Sequence, residues 1–234
     1  MSSALITGAS RGFGRALAQE LARRNWRLII DARGDEELQA VASSLGSSVV
    51  TAITGDIADP EHREELAHAV DRLGRLDLLV NNASVLGPSP LPGLDHYPIE
   101  ELEQVLRINI VAPLALTQLL LEKVRAASGA IVNLTSDAAV EPYEGWGGYG
   151  SSKAALDQLT AILGAEQSSI RVYAFDPGDM RTAMHQAAFP GEDISDRPEP
   201  ETVVPALLRL LEEAPPSGRY RASDLRVTAT EAAP

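Results

Sequence analysis

Tyr149 and Lys153 are the residues whose types and spacing are best suited to acid–base chemistry. Side chains four residues apart on a helix lie on one face, one turn from each other, so a helix here would place the two side by side. A free tyrosine has a pKa of about 10, and a nearby ammonium favours the phenolate and so lowers that pKa. The spacing therefore predicts a tyrosine that exchanges a proton with a substrate, and an exposed tyrosine beside a surface lysine is the alternative.

The use of lysine at position 153 adds to this prediction. The chain has only two lysines, Lys123 and Lys153, against eighteen arginines. Arginine would supply the same charge, but its broad planar fork differs in shape from a compact ammonium. The presence of lysine here favours a specific role over a solvated surface charge.

A glycine-rich turn near the N-terminus is suited to phosphate binding. In "LITGASRGFG" (residues 5–14), a strand-like run ends and a helix-like segment begins near Gly12. The free N–H groups and the positive dipole end at the start of such a helix face a phosphate in dinucleotide-binding folds. The alternative is a glycine turn that chain geometry alone requires, with no bound ligand. Here strand, turn, helix and second strand fit within about 30 residues, and this arrangement predicts a dinucleotide site.

The spacing Thr7-Gly8-x-x-x-Gly12-x-Gly14 resembles that of the short-chain dehydrogenase/reductase family. The resemblance covers nearly the whole chain, through segments in the family's order: "GDIAD" (55–59), "NNAS" (81–84), "INIVAP" (108–113), "NLTS" (133–136), "YGSSK" (149–153) and "PGDMRT" (177–182). It implies an oxidoreductase that transfers a hydride between a nicotinamide and a small carbonyl or alcohol substrate.

The resemblance also implies a catalytic set: Asn109, Ser136, Tyr149 and Lys153. Ser136 would orient the substrate carbonyl, Tyr149 would donate the proton or accept it in oxidation, and Lys153 would bind a ribose hydroxyl. The alternative for Ser136 is a strand-end hydroxyl that caps local backbone. Tyr143 and Trp146 either shape the substrate pocket or serve only packing.

Asn109 is interpreted together with Pro113. A proline at 113 has no N–H to donate to the carbonyl of residue 109 in the same helix, and a buried free carbonyl needs a partner. By the resemblance, a water would join this carbonyl to Lys153 and make a proton path to solvent. The alternative is a bent core helix with a satisfied amide.

The cofactor contacts are also carried over from the resemblance, onto matching positions. Besides Tyr149 and Lys153, they are Gly8, Ser10, Arg11, Gly12, Phe13, Gly14, Arg33, Asp56, Ile57, Asn81, Asn82, Ala83, Pro177, Gly178 and Thr182. Ser84 stands where the family usually has glycine.

The residues after the second strand predict NADP(H) rather than NAD(H). In dinucleotide folds an acid about 20 residues beyond the glycines holds the ribose 2′-hydroxyl, whereas an arginine there accommodates a 2′-phosphate. In "LIIDARGDEEL" the position of that acid aligns with Ala32, and Arg33 follows, with Arg11 able to reach the same phosphate. If the strand is shifted by one residue, Asp31 becomes the ribose acid and the preference reverses.

Apolar strand-like runs alternate with helix-length segments along the chain. The strands are predicted at 4–7, 27–32, 48–53, 76–80, 130–136 and 170–175, and the helices near 12–24, 35–45, 60–73, 98–126 and 149–164. This alternation predicts an α/β fold: one Rossmann-like, doubly wound parallel sheet with helices on both faces. With 234 residues the chain is expected to form a single domain, 1–234, with a frayed C-terminus.

Composition narrows the possible partners. The net charge of −13 argues against nucleic acid and against strongly acidic macromolecules. Zero cysteines and four scattered histidines give no metal-ligand spacing, so no metal is expected. We expect no apolar run to approach the ~18–20 residues of a membrane span, and no signal pattern is visible. The sequence therefore predicts a cytoplasmic protein that is not associated with a membrane.

Three further expectations concern assembly, motion and alternative functions. The helices near 98–126 and 149–164 are apolar beyond one stripe, and the family pairs them between subunits, so a homodimer or homotetramer is expected. Residues 183–201, with three prolines and five acids, lie at the family's substrate lid and should be mobile without ligand. The alternatives are a nucleotide-sugar epimerase or dehydratase of the longer-chain type, and a non-catalytic dinucleotide-binding regulator.

Overall fold

The computed structural model describes residues 1–46 and 50–225, which contain one seven-stranded parallel sheet. The strands are β1 (Ser3–Ile6), β2 (Arg27–Ala32), β3 (Val50–Thr54), β4 (Leu78–Asn81), β5 (Ala130–Leu134), β6 (Arg171–Asp176) and β7 (Gly218–Arg221). The helices are α1 (Gly12–Arg23), α2 (Asp35–Ser44), α3 (Pro60–Leu73), α4 (Ile99–Leu106), α5 (Ala112–Ala126), α6 (Gly147–Glu166), α7 (Ala183–Ala188) and α8 (Val204–Glu213).

The strand order is β3-β2-β1-β4-β5-β6-β7, and helices cover both faces of the sheet. Side chains alternate between the faces along each strand, as on β1, where Ile6 packs with Leu17 of α1 and Leu5 packs with Leu66 of α3. The predicted doubly wound fold is confirmed. The chain order reverses between β1 and β4, and this is where open α/β sheets bind ligands, at the carboxyl ends of the strands.

The long predicted helix near 98–126 is continuous but not uniform. Between α4 and α5, residues Arg107–Val111 form a π-helical turn, and Pro113 follows as the second residue of α5. The sequence predicted a kink at the proline. The observed irregularity begins earlier in the helix and includes Asn109 itself. A widened turn of this kind is frequent at functional sites because it re-aims one side chain.

Other element limits differ modestly from the prediction. Helix α6 begins at Gly147, two residues earlier than expected, so Tyr149 lies in its first turn. Strand β7 and helix α8 were not anticipated. The start of the third predicted strand (residues 48 and 49) and the predicted frayed C-terminus from 226 onward lie outside the described residues.

The helix Ile99–Ala126 corrects one expectation from the sequence. It spans 28 residues and contains an 18-residue window of mean hydropathy 1.5, so by length and composition alone it could cross a membrane. The expectation that no apolar run approached that length was therefore wrong. Its apolar side chains Ile108, Leu116 and Leu120 pack against one face of the sheet, as in the core helix of a globular domain.

Candidate functional site

The glycine turn between β1 and α1 forms one wall of a cleft at the switch point of the sheet. Gly8 and Gly12 have φ angles of +66° and +56°, a region that side chains other than glycine rarely adopt. A Cβ on Gly8 would lie 2.9 Å from the Cα of Ala83, so the turn and the end of β4 touch through backbone. The Thr7 hydroxyl locks the same junction, since it accepts bonds of 3.0 Å from the amides of Asn82 and Ala83.

The cleft has a volume of about 480 Å³, and most of the predicted cofactor residues line it. These are Gly8, Ser10, Arg11, Gly12, Phe13, Arg33, Asp56, Ile57, Asn82, Ala83, Tyr149, Lys153, Pro177 and Thr182. It runs from the strand ends of β1 and β2 to the first turn of α6, with the glycine turn as one wall.

Three predicted contacts do not line the cleft: Gly14, Asn81 and Gly178. Gly14 is needed for close packing, because a Cβ there would lie 2.6 Å from the Gly8 carbonyl oxygen. The Asn81 side chain is buried in the sheet and donates to Asn133 Oδ1 at 2.7 Å, which corrects its assignment to the adenosine wall. Gly178 supports the turn after β6 through its amide, 3.0 Å from Asp176 Oδ1.

Two arginines line the part of the cleft beyond β2, and neither forms an ion pair among the described residues. Arg11 and Arg33 are both exposed. Arg33 directly follows the buried Ala32, the position at which an acid would hold a ribose hydroxyl, and both arginines line the same cleft as Ala32. Within the described part of the chain, the cleft therefore offers two unpaired guanidinium groups to an anion.

Asp31 belongs to the cleft wall, but both its carboxylate oxygens are occupied. Oδ1 accepts from the Gly8 amide at 2.9 Å, and Oδ2 lies 3.0 Å from His62 Nε2, with both side chains buried. Burial raises the pKa of Asp31, while the hydrogen bonds from His62 and Gly8 act in the opposite direction. The pair fixes Asp31 as a support for the glycine turn. No motif in the sequence pointed to His62, which α3 brings from 31 residues away.

Tyr149 and Lys153 are adjacent, as the helical spacing predicted. Lys153 Nζ lies 5.5 Å from the centre of the Tyr149 ring, and both side chains are buried at the floor of the cleft. Lys153 Nζ also donates to the Leu134 carbonyl oxygen at 2.7 Å, which anchors the ammonium at the end of β5. The arrangement places a phenol and an ammonium together below the glycine turn.

The electrostatics of the pair differ from the expectation that lysine lowers the tyrosine pKa. Burial is the largest influence and raises the pKa of Tyr149, and the carboxylates of Asp176 and Asp137 act in the same direction. The hydroxyls of Ser84 and Ser136 act in the opposite direction. Burial also lowers the pKa of Lys153 to about 8, against the opposing charge of Asp157. The phenol therefore keeps its proton at neutral pH, as a proton donor must.

Ser136 follows β5, where its hydroxyl accepts from the Ala138 amide at 3.2 Å and donates to Asp137 Oδ1 at 2.9 Å. The capping alternative for this residue is thus part of its geometry, and the same hydroxyl is near Tyr149. Tyr143 donates to the other Asp137 oxygen at 3.0 Å. These bonds order the loop between β5 and α6.

An aromatic cluster lies beside the tyrosine. The Trp146 ring is 5.8 Å from that of Tyr149, 6.3 Å from that of Tyr143 and 6.0 Å from that of Phe189. Phe189 belongs to the predicted lid, residues 183–201, whose α7 also brings Met184 to the cleft. The lid's mobility remains a prediction. Its position beside Trp146 forms an apolar, aromatic wall against Tyr149, although Trp146 and Phe189 do not themselves line the cleft.

Asn109 links three elements through its side chain. Its Oδ1 accepts from the Val85 amide at 2.9 Å and from the Ser84 hydroxyl at 3.1 Å. Its Nδ2 is 2.9 Å from the Val85 carbonyl oxygen and 3.0 Å from Ser152 Oγ. The side-chain amide is fully satisfied and ties the loop after β4 to α6. A water relay through its main-chain carbonyl remains a prediction.

The sequence reasoning also missed parts of the cleft near the lid. Met180 and Arg181 within "PGDMRT", and Glu199 and Pro200 within the predicted lid, also line it, although none of the four was predicted as a contact. Within residues 1–46 and 50–225, no group of three or more His, Cys, Asp or Glu side chains is placed to hold a metal ion.

Known proteins resemble this chain over most of its length. The family model described as short chain dehydrogenase matches residues 2–193. A sepiapterin reductase from Mus musculus is 34% identical over 199 residues, or 79% of this chain and 76% of the relative. A serine 3-dehydrogenase from Rhizobium radiobacter is 36% identical over 182 residues, or 76% of this chain and 72% of the relative. A short chain dehydrogenase structure from Shigella flexneri, complexed with NADP, has a TM-score of 0.88 at 29% identity and covers 95% of this chain and 97% of its own.

Proposed function

The chain belongs to the short-chain dehydrogenases, and on that premise we propose that it is an NADP(H)-dependent oxidoreductase acting on a small carbonyl or alcohol substrate. The observation that carries the proposal is the buried pair of Tyr149 and Lys153 at the floor of a cleft lined by the glycine turn. A relative complexed with NADP, and relatives named for a reductase and a dehydrogenase, support the same reading.

The chain's own residues perform the proton chemistry. When NADPH is bound it supplies the hydride. Tyr149 donates its phenolic proton to the substrate oxygen, and its raised pKa keeps that proton available at neutral pH. Ser136 holds the substrate carbonyl, and Lys153 holds the ribose and brings its positive charge to the phenol. The aromatic wall around Trp146 packs against the Tyr149 ring and helps to fix its orientation.

The two alternative functions are less well supported. A non-catalytic regulator has no need for a complete set of Asn109, Ser136, Tyr149 and Lys153, all of which this chain carries. An epimerase or dehydratase of the longer-chain type uses TGxxGxxG spacing, whereas this chain has Thr7-Gly8-x-x-x-Gly12-x-Gly14.

A carbonyl panel tests the proposal directly. Absorbance of NADPH is followed with a panel of ketones and aldehydes that includes sepiapterin, and NADP⁺ reduction is followed with alcohols that include serine. Turnover of any carbonyl or alcohol removes the non-catalytic alternative. The acidic balance of 183–201 disfavours acidic carrier proteins, so small neutral carbonyls should be the better substrates. No turnover across the panel, with NADPH bound, would overturn the proposal.

The cofactor preference is expected to depend on Arg33. Arg33→Ala should raise the KM for NADPH by about 10- to 100-fold and leave that for NADH nearly unchanged, because one charge-assisted contact to the 2′-phosphate is lost. Comparison of kcat/KM for NADPH and NADH in both proteins measures this. Arg23→Ala, an exposed arginine at the far end of α1, is the matched control. A wild-type preference for NADH would mean that Asp31 leaves His62 and binds the ribose.

The protein is proposed to form a homodimer or homotetramer through α4, α5 and α6. Val111 in the π-helical turn between α4 and α5, Leu119 on α5 and Ile162 on α6 are 54%, 47% and 44% exposed. Large apolar side chains exposed on these elements are candidates for an interaction surface. Light scattering at micromolar concentration should give two or four times the mass of 24.9 kDa, and Leu119→Glu should reduce it. A wild-type monomer would contradict the assembly.

A cytoplasmic location also remains a prediction.

A further inference from the structure

Arg219, on the unanticipated strand β7, binds three elements that meet beneath the site. Its Nε lies 3.0 Å from Asp157 Oδ2 on α6, and its Nη2 lies 2.8 Å from Asp176 Oδ2 at the end of β6. The same Nη2 donates to the Ser136 carbonyl oxygen at 3.0 Å. One guanidinium thus joins α6, the segment that follows β5 and the last residue of β6.

Each partner of Arg219 leads to a different part of the proposed site. Asp157 lies one helical turn after Lys153 on α6. Ser136 carries the hydroxyl assigned to the substrate carbonyl. Asp176 holds the Gly178 amide with its other oxygen, at 3.0 Å, and so sets the turn after β6. A lysine could not make all three contacts from one compact ammonium, whereas the flat fork of arginine can.

The cluster is largely shielded from water, which makes its charge balance important. The side chains of Asp176, Asp157 and Arg219 are 4%, 15% and 23% exposed. Removing one partner from such a group leaves an uncompensated charge in a poorly solvated place. Arg221 lies 3.9 Å from the same Asp176 oxygen but is 46% exposed, so it compensates the carboxylate less.

We infer that Arg219 is a positioning residue for the proposed reaction, which holds Ser136 and the turn after β6 in place and compensates the charge of Asp176. This inference rests on the proposed function. Arg219 itself does not line the cleft, so it acts through its partners.

The charge on Asp176 gives the inference a signature that a merely structural role lacks. The charged groups that act on Tyr149 or lie beside it are Lys153 on its own helix, Asp137 after β5 and Asp176 at the end of β6. Asp176 raises the pKa of Tyr149. Without Arg219 that carboxylate is less compensated, so the pKa of Tyr149 should rise further. Without the carboxylate charge, it should fall.

The experiment compares Arg219→Met, Asp176→Asn and the double variant with the wild type, using alcohol oxidation with NADP⁺ as a function of pH. Oxidation needs the phenolate, so its pH midpoint reports the loss of the Tyr149 proton. The midpoint should move up by about one pH unit in Arg219→Met and down by about one unit in Asp176→Asn, and should return towards the wild type in the double variant. Arg219→Lys should restore most of the midpoint but not kcat, because charge returns without the three-way fork.

Controls separate this inference from folding and from the proposed function. Arg221→Met, with the same charge change on the same strand, should shift the midpoint by less than half as much. Thermal unfolding identifies any variant that fails to fold. If Arg219→Met fails to fold, the pH midpoints of Arg219→Lys and Asp176→Asn still test the role of Arg219. If the wild type shows no turnover, the proposed function fails; the pKa of Tyr149 is then followed by tyrosinate absorbance of the NADP⁺ complex, with the spectrum of Tyr149→Phe subtracted from that of the wild type. Equal or same-direction shifts in Arg219→Met and Asp176→Asn, by either readout, would overturn the role of Arg219.

Discussion

Tyr149→Phe is expected to lower kcat by a factor of about 10² to 10⁴, the usual contribution of a positioned general acid. The substitution removes one oxygen and leaves the ring against Trp146, so the aromatic wall and the fold should be retained. Affinity for NADPH should change little, since the ring remains in place. Steady-state kinetics with the best substrate of the panel, together with NADPH binding by fluorescence, measure the two effects separately.

Tyr220→Phe is the matched control for this prediction. It also removes one phenolic oxygen, but that hydroxyl is bonded to the Pro216 carbonyl at 2.8 Å, and the residue does not line the cleft. Its kcat should equal that of the wild type. Normal kcat in Tyr149→Phe would falsify the acid–base role, and an equal loss in both variants would indicate damage to the fold.

The local parts of the site could be predicted from the sequence because they depend on short-range geometry. Lys153 lies four positions after Tyr149 on one helix, and this spacing places the two side chains side by side. The glycine turn likewise depends on Gly8 and Gly12, whose positive φ angles follow from a tight strand–helix junction. Largely apolar runs of four to seven residues located six of the seven strands.

The contacts that the sequence did not predict join residues far apart in the chain. Arg219 reaches Ser136 across 83 residues, and nothing in "SGRYR" marks it as different from the other arginines. His62 reaches Asp31 only because α3 packs beside the carboxyl end of β2. Such pairings depend on the packing of whole elements, which no local pattern in the sequence encodes.

The direction of the Tyr149 pKa was missed for a related reason. Spacing alone brings Lys153 near the phenol and suggests a lowered pKa. Burial depends on how completely the surrounding elements close over the ring, and here it is the largest influence and raises the pKa, with Asp176 and Asp137 acting in the same direction. Asn81 illustrates the same limit. Strand alternation directs its side chain to the sheet face covered by α5, where it bonds Asn133 and Thr117, and away from the cleft.

Lys153→Met is expected to lower kcat/KM by a factor of about 10² or more and to weaken NADPH binding, because charge beside the phenol and the ribose contact are lost together. Lys153→Arg should not restore activity. The ammonium is only 2% exposed and lies 2.7 Å from the Leu134 carbonyl oxygen, so a larger planar group cannot occupy its place. Unaltered cofactor affinity in Lys153→Met would contradict the ribose contact.

The same substitution should change the pH dependence of stability in a direction that the burial of Lys153 determines. Its pKa of about 8 in the folded chain is below the ordinary value of 10.5, so between these pH values the unfolded chain binds the additional proton. The free energy of unfolding of the wild type therefore gains a contribution that increases with pH across this window. Methionine carries no proton in either state, so the free energy of unfolding of Lys153→Met lacks that gain. The stability of Lys153→Met relative to the wild type is therefore highest below pH 8. Urea unfolding of both proteins at pH 7 and pH 10 measures the difference, and a difference that is the same at both would show that Lys153 keeps an ordinary pKa and is not held in a buried site.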